Sequence, residues 1–207
     1  MAMRETRGLD DRRRELGEAV WRVIRRDGLE RASVRNVARE AGLSMGSLRH
    51  HFGTQSELLA FSMRLVAERA AARVEALPST GPPRRRAEAI LAELLPLDDE
   101  RRAEAEVWLA FAGRALVDPG LRALREEVDD LLRGLMCTLV DLLLGPDSPD
   151  AELEAERLYA VVDGLTLHAV TRPERLSAGA MSATLAGHLD RLAERGARGS
   201  SGRRAEA

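Results

Sequence analysis

Cysteine occurs once in this 207-residue chain, at Cys137, so a disulfide within it is excluded and a reducing cytosol is the expected environment. Lysine is missing altogether. All 32 basic residues are arginine, a usage we attribute to the coding bias of a GC-rich genome and to which no function attaches. Aromatic residues supply only 3%, and no segment alternates apolar with polar as a half-buried strand would. No stretch of about eighteen apolar residues exists, and the opening Met1 to Arg7 holds no apolar run, so neither membrane spanning nor export is expected. Also absent are a Cys pair, HExxH, GxSxG and a phosphate-binding Gly loop. His168 and His188 are isolated, while the adjacent His50 and His51 would point about 100° apart on a helix and cannot chelate one ion together. The sequence therefore calls for no catalysis, no metal and no cofactor.

What is present is apolar content for a core, 44% of residues, with Pro and Gly sitting mostly at apparent helix ends. The expected fold class is all-α. The formal net charge of -2 divides unevenly: residues 1–60 hold 12 Arg against 9 acids (+3), and the remainder 20 Arg against 25 acids (-5). Such a division favours docking one end of the molecule on a polyanion.

The most informative stretch is Ser33 to Phe52. Val34, Val37, Ala38 and Ala41 fall at i, i+3, i+4 and i+7, sharing one face and leaving Arg35 and Arg39 outside. Gly42 stops this helix by taking a left-handed conformation, and Ser44 caps the next. That second helix, expected from about Met45 to His51, is too short to stand alone and must be held by Leu48 and Phe52 packing inward. Its other face offers Gly46, Ser47, Arg49 and His50: close approach, a hydroxyl, a guanidinium and an imidazole. These suit a DNA groove. A helical hairpin with no such role is the bland alternative.

Upstream, Leu16, Ala19, Val20, Val23 and Ile24 trace a helical stripe ending at Gly28, predicting a first helix over 9–27. Downstream, Thr54-Gln-Ser-Glu57 reads as a capping box opening a helix to about residue 76. Leu77 to Pro83 forces a loop. Further helices are expected over 84–95, 99–116, 119–144, 149–170 and 177–195, with Asp118-Pro119 and Ser148-Pro149 as N-cap and first-turn Pro pairs.

The first helix, the motif from Ser33 to Phe52 and the Gly53-Thr-Gln-Ser-Glu-Leu-Leu59 start of the fourth helix together resemble the amino-terminal domain of TetR-family transcriptional regulators. More loosely, the Leu48-Arg-His-His-Phe52 form, Val107-Trp-Leu-Ala-Phe111, Val117-Asp-Pro-Gly-Leu-Arg122 and Val162-Asp-Gly-Leu-Thr-Leu-His168 resemble the branch related to betaine-type repressors. Two positions depart from the family pattern: Arg49 stands where an aromatic is usual, and Gln55 where Lys is usual.

The resemblance implies an all-α protein of about nine helices. Its parts would be a flexible arm over 1–8, a helix-turn-helix DNA-binding domain over 9–60, a ligand-binding and dimerisation domain over 61–195 and a disordered tail over 196–207. The expected DNA contacts are Ser33, Arg35, Arg49 and His51 to phosphates and Ser47 and His50 to bases. Gly46 would allow close approach, Met45 would touch a thymine methyl, and Ser44 and Gln55 complete the expected DNA-binding set. Arg49 suits either a phosphate or a guanine edge. Trp108, Phe111 and Arg114, with Met136 and His168, are candidates for an effector cavity, core packing being the alternative for the apolar ones. Leu158, Val162, Leu165, Leu185, Leu189 and Leu192 are candidates for a four-helix seam with a second copy, against burial in the monomer. The function implied is a cytoplasmic, homodimeric repressor that binds a near-palindromic operator in double-stranded DNA and is released by a small molecule. The rival is a helical partner-binding or membrane-surface protein, whose binding would show no palindrome.

Overall fold

The computed structural model describes residues 2–49, 52–146 and 148–205, with side chains described over 15–48, 52–146 and 148–198. The described residues form nine α-helices and no strand: α1 Ala2–Asp27, α2 Val34–Glu40, α3 Met45–Arg49, α4 Gln55–Glu75, α5 Pro83–Ala92, α6 Asp99–Ala115, α7 Pro119–Leu144, α8 Ala151–Thr171 and α9 Ala178–Ala205, with a single 3-10 turn at Leu29–Arg31. They divide into two compact units, residues 1–69 with 106–122, and residues 70–105 with 123–207. The division differs from the expected 9–60 and 61–195, because the second half of α6 and the start of α7 belong with the first unit.

In the first unit the α1 stripe is inside as its spacing requires: Leu16, Ala19, Val20, Val23 and Ile24 are all buried. Gly28 ends the helix with φ 81°, a conformation that costs other residues a clash at Cβ. Residues 2–8 continue α1 where an arm is expected; Ala2, Met3, Arg4, Glu5 and Arg7 are good helix formers, and the helix continues through Thr6 and Gly8 in spite of their lower propensity.

The second unit is built on one core, in which Leu91 and Leu95 meet Met136, Leu139 and Val140 of α7, Leu158, Val162 and Leu165 of α8, and Leu185, Leu189 and Leu192 of α9. The last six are the candidates for a seam with a second copy, for which burial in the monomer is the alternative. Each is at most 8% exposed in the single chain, because the widest apolar faces of α8 and α9 turn toward their own unit. Burial of a Leu side chain contributes about 1.5–3 kcal/mol. The outward stripe of α8 is thinner: Leu153, Ala160 and Leu167 are exposed, with Gly164 half-buried between them. Glu154 is buried at the start of α8 and accepts hydrogen bonds from Arg157 at 2.7 Å and from Arg195 of α9. Burial pushes its pKa up, yet the two guanidinium bonds outweigh it and hold the carboxyl below its ordinary value.

Two helix ends differ from expectation. α8 starts at Ala151 with Asp150 as N-cap and no side-chain cap bond; the turn closes instead through Ala151 N–H donating to the Ser148 carbonyl at 3.1 Å. α9 runs to Ala205 through residues 196–205, where a disordered tail is expected. Gly196 is buried there, so tightly that a Cβ would collide with the carbonyl oxygen of Leu143 and lie 3.2 Å from Leu144 Cα. Replacing Gly196 with Ala is therefore expected to cost about 1–2 kcal/mol despite the better helix propensity of Ala, lowering the melting temperature by about 3–8 °C. A variant melting at or above the wild-type temperature would show that α9 does not seat against α7 at this point.

Candidate nucleic-acid interface

The helix-turn-helix is assembled from caps written into the sequence. Ser33 is the N-cap of α2, its Oγ accepting from Asn36 N–H at 3.3 Å. At the other end Gly42 has φ 65°, which lets Leu43 N–H reach the Ala38 carbonyl at 2.9 Å and Gly42 N–H the Arg39 carbonyl at 3.3 Å. Those are the two bonds of a Schellman stop. Ser44 then accepts from Ser47 N–H at 3.1 Å and caps α3. Leu48 is 0% exposed and Phe52 5%, and the Phe52 ring lies against Phe61 of α4 with centroids 4.9 Å apart. α3 is thus pinned from behind by one Leu and one aromatic pair.

The opposite side of α3 is open. Ser44, Met45 and Gly46 are exposed and Ser47 is half-buried. A Cβ on Gly46 would meet nothing nearer than Ser44 Oγ, at 3.8 Å, so packing within the chain does not require glycine here. Arg35 is exposed on α2, and Ser33 is half-buried beside it. Arg49 closes α3, while His50 and His51 lie outside the described residues.

Other expected details are modified. The capping box at α4 is displaced by one residue: Thr54 Oγ1 accepts from Glu57 N–H at 3.1 Å, but the Glu57 carboxylate takes the Gly53 amide at 2.7 Å. Gln55, which stands in the place of a usual phosphate-contacting Lys, spends its amide on the Ala32 carbonyl at 2.9 Å. It braces the entry to α2 with one N–H, and its second N–H and its carboxamide oxygen remain available.

Pattern-reading missed a set of long-range polar links. Arg22 and Arg26 of α1 donate to the two oxygens of Glu40 at 2.8 Å each, and the bonds from Arg22 first, then Arg26, hold that carboxyl below its ordinary pKa. They anchor the last turn of α2 to α1. Ser56 in the first turn of α4 donates to Asp118, which also accepts from Gly120 N–H at 3.0 Å as the N-cap of α7 and faces Arg114 at 3.6 Å. The turn between α6 and α7 is in this way tied to the start of α4. Arg22–Glu40 and Ser56–Asp118 join residues far apart in the chain, and no local signal marks them.

The expected effector residues are distributed over both units. In the first, Phe111 is 0% exposed, Trp108 is half-buried with its ring centroid 6.4 Å from that of Phe111, and Arg114 is exposed and paired with Asp118. In the second, Met136 is sealed in the core and His168 is exposed. Between α7 and α8 lies a polar cluster: Tyr159 donates to Asp129 at 3.1 Å, Arg125 donates to the same carboxylate at 2.6 Å, and half-buried Asp163 is pushed to a higher pKa by burial, with Arg125 opposing and Asp129 reinforcing the shift.

Two family models fit this chain: that of bacterial regulatory proteins of the tetR family over residues 18–60, and that of the carboxy-terminal domain of BetI-type transcriptional repressors over residues 83–194. The HTH-type transcriptional regulator PksA of Bacillus subtilis (strain 168) is 40% identical, the alignment covering 88% of this chain and 90% of that protein. The chain belongs to the TetR family of transcriptional regulators. Its solved relatives include a transcriptional regulator from Rhodococcus sp. Rha1, 35% identical with a TM-score of 0.76 over 88% of this chain and 96% of that one. A regulator from Saccharomonospora viridis in complex with choline shares the fold at 24% identity, with a TM-score of 0.72 over 87% of this chain and 96% of that one. TetR-family regulators bind DNA rather than catalyse reactions, and among the described residues no helix is long and apolar enough to cross a membrane. The family assignment also settles the rival reading of the motif as an ordinary helical hairpin.

Proposed function

We propose that this TetR-family protein is a cytoplasmic, homodimeric repressor that holds a near-palindromic operator and is released by a small-molecule effector. The observation that carries the reading is α3 itself, five residues capped by Ser44, locked by Leu48, and presenting Met45, Gly46 and Ser47 on its free side. In a dimer two such helices enter successive major grooves about 34–36 Å apart. Ser33, Arg35, Arg49 and His51 would meet phosphates; Ser47 and His50 would meet bases. The second copy would dock on the outward stripes, where α8 offers Leu153, Ala160, Gly164 and Leu167 and α9 offers Ala183 and Gly187. Small residues at these positions favour close helix approach, so the seam falls on these residues rather than on the buried leucines.

Effector response needs an element that both units share. α4 is one continuous helix whose residues 55–69 belong to the first unit and 70–75 to the second. An effector acts only if it binds one setting of that helix better than the other. Trp108, neither sealed nor exposed, is the residue we assign to that effector.

The test is selection of bound duplexes from a random-sequence library at about 150 mM salt, where non-specific attraction is reduced. An enriched palindrome is expected. On that operator Arg49→Ala should weaken binding to all sequences and lower the salt slope by about one. Failure of a folded protein to enrich any duplex, or enrichment of a single half-site only, would refute the dimeric reading.

A further inference from the structure

The second unit contains a groove that none of the roles above uses. It lies between the end of α4 and α5, has a volume of about 440 Å³, and is lined mainly by apolar side chains, among them Val74, Leu77, Pro82 and Ile90. Sites for small organic ligands fall in the range of about 300–1,000 Å³ and combine such walls with a few polar groups. The charged residues on this groove are Arg85, Arg86 and Glu75.

Arg86 sets the chemistry. Arg69, Arg73, Arg84, Arg101, Arg102, Arg125 and Arg195 are likewise half-buried, and each has an acceptor or an aromatic face: Arg84, for example, donates to Asp190 at 2.6 Å, to Glu88 at 2.5 Å and to the Ala186 carbonyl at 3.2 Å, and Arg69 lies 4.7 Å over the Trp21 ring. The Arg86 side chain, two residues after Arg84, has no hydrogen bond or ion pair among the described residues, and neither has exposed Arg85. A guanidinium drawn partly out of water without an anion loses hydration that nothing replaces. Two arginines against one glutamate leave the rim positive, and a guanidinium fork matches a carboxylate in two parallel hydrogen bonds.

We propose that this groove is a binding site for a carboxylate carried on an apolar tail, the carboxylate paired with Arg86 and the tail laid along Val74, Leu77 and Ile90. Glu75 opposes the same anion across the groove and sets a limit on affinity. The site is separate from Trp108, Phe111 and Arg114, and its occupancy is read on the free protein, so its existence does not depend on the operator or on dimerisation.

Titration calorimetry with decanoate, decanol and decyltrimethylammonium tests this, because the three share one tail and differ in the charge of the head. Decanoate is expected to bind at least about tenfold tighter than either. Arg86→Gln should remove that advantage, Arg86→Lys should restore part of it, and Glu75→Gln should tighten decanoate binding while leaving decanol unchanged. All variants are to be checked for wild-type helicity and melting. Equal affinity for the three probes, or decanoate binding that survives Arg86→Gln, would overturn the proposal and mean that Arg86 only lays its methylene stem over the groove. Loss of decanoate binding on Arg114→Ala but not on Arg86→Gln would overturn it too, placing the ligand elsewhere.

Discussion

Arg73→Ala is expected to be the most destabilising single substitution of a charged residue in the second unit, costing about 3 kcal/mol and about 6–12 °C in melting temperature. Arg73 comes from the end of α4 and reaches two helices at once. Its Nη atoms donate to both oxygens of Glu104 at 2.8 and 2.5 Å, and its Nε donates to Glu93 at 2.9 Å. Those bonds, to Glu104 foremost, hold the guanidinium above its ordinary pKa although burial opposes them. Glu104 has a side chain only 6% exposed, against 29% for Arg73. Deleting the arginine therefore strands a carboxylate out of water, whereas Glu93 keeps a second partner in Arg101 at 3.3 Å. The cost should fall by about half when Glu104→Gln is added, because the stranded group is then neutral. Denaturant unfolding of the two single variants and the double checks this; additive losses would mean that Glu104 is solvated and the pair contributes little.

Gly46→Glu is expected to separate folding from function, abolishing operator binding by at least about a hundredfold while leaving the melting temperature unchanged or slightly raised. Gly46 lies in the first turn of α3, where free amides point outward and a carboxylate is favoured by about 0.3–1 kcal/mol. A Cβ there meets only Ser44 Oγ at 3.8 Å, and leaving glycine improves helix propensity. In the groove the same side chain brings bulk and negative charge against phosphates and base edges, losing at least one counterion-releasing contact. Fluorescence anisotropy on the selected operator, run beside a thermal melt, reads both halves. A variant that binds as the wild type does would show that α3 is not the helix that enters the groove, and a variant that unfolds would show that the open space beside Gly46 is occupied.

These expectations draw on two kinds of information that the chain supplies unequally. The stop at Gly42 and the cap at Ser44 were legible in advance because each joins residues within five positions of one another: Gly42 and Leu43 to Arg39 and Ala38, Ser44 to Ser47. The resemblance to TetR-family regulators rests on that same stretch, and the family models agree with it over both parts of the chain. Gln55 shows where such reading stops. Its hydrogen bond to the Ala32 carbonyl joins residues 23 positions apart, a link that no local pattern marks.

By itself, the sequence determined the all-helical class, the positions of the helix ends at Gly28, Gly42 and Pro119, and the family, since local hydrogen bonding and apolar period are properties of neighbouring residues. Tertiary structure alone decided which face of an over-wide apolar helix is inside, so that Leu158, Leu185 and Leu189 became core while Leu153 and Leu167 stayed on the surface. It decided also that Gly196 belongs to a packed helix rather than a tail, and that Arg86 lacks the acceptor which Arg84 has. An apolar period says that a face must be covered and a charge says that it should be paired, but neither specifies the distant part of the chain that does so.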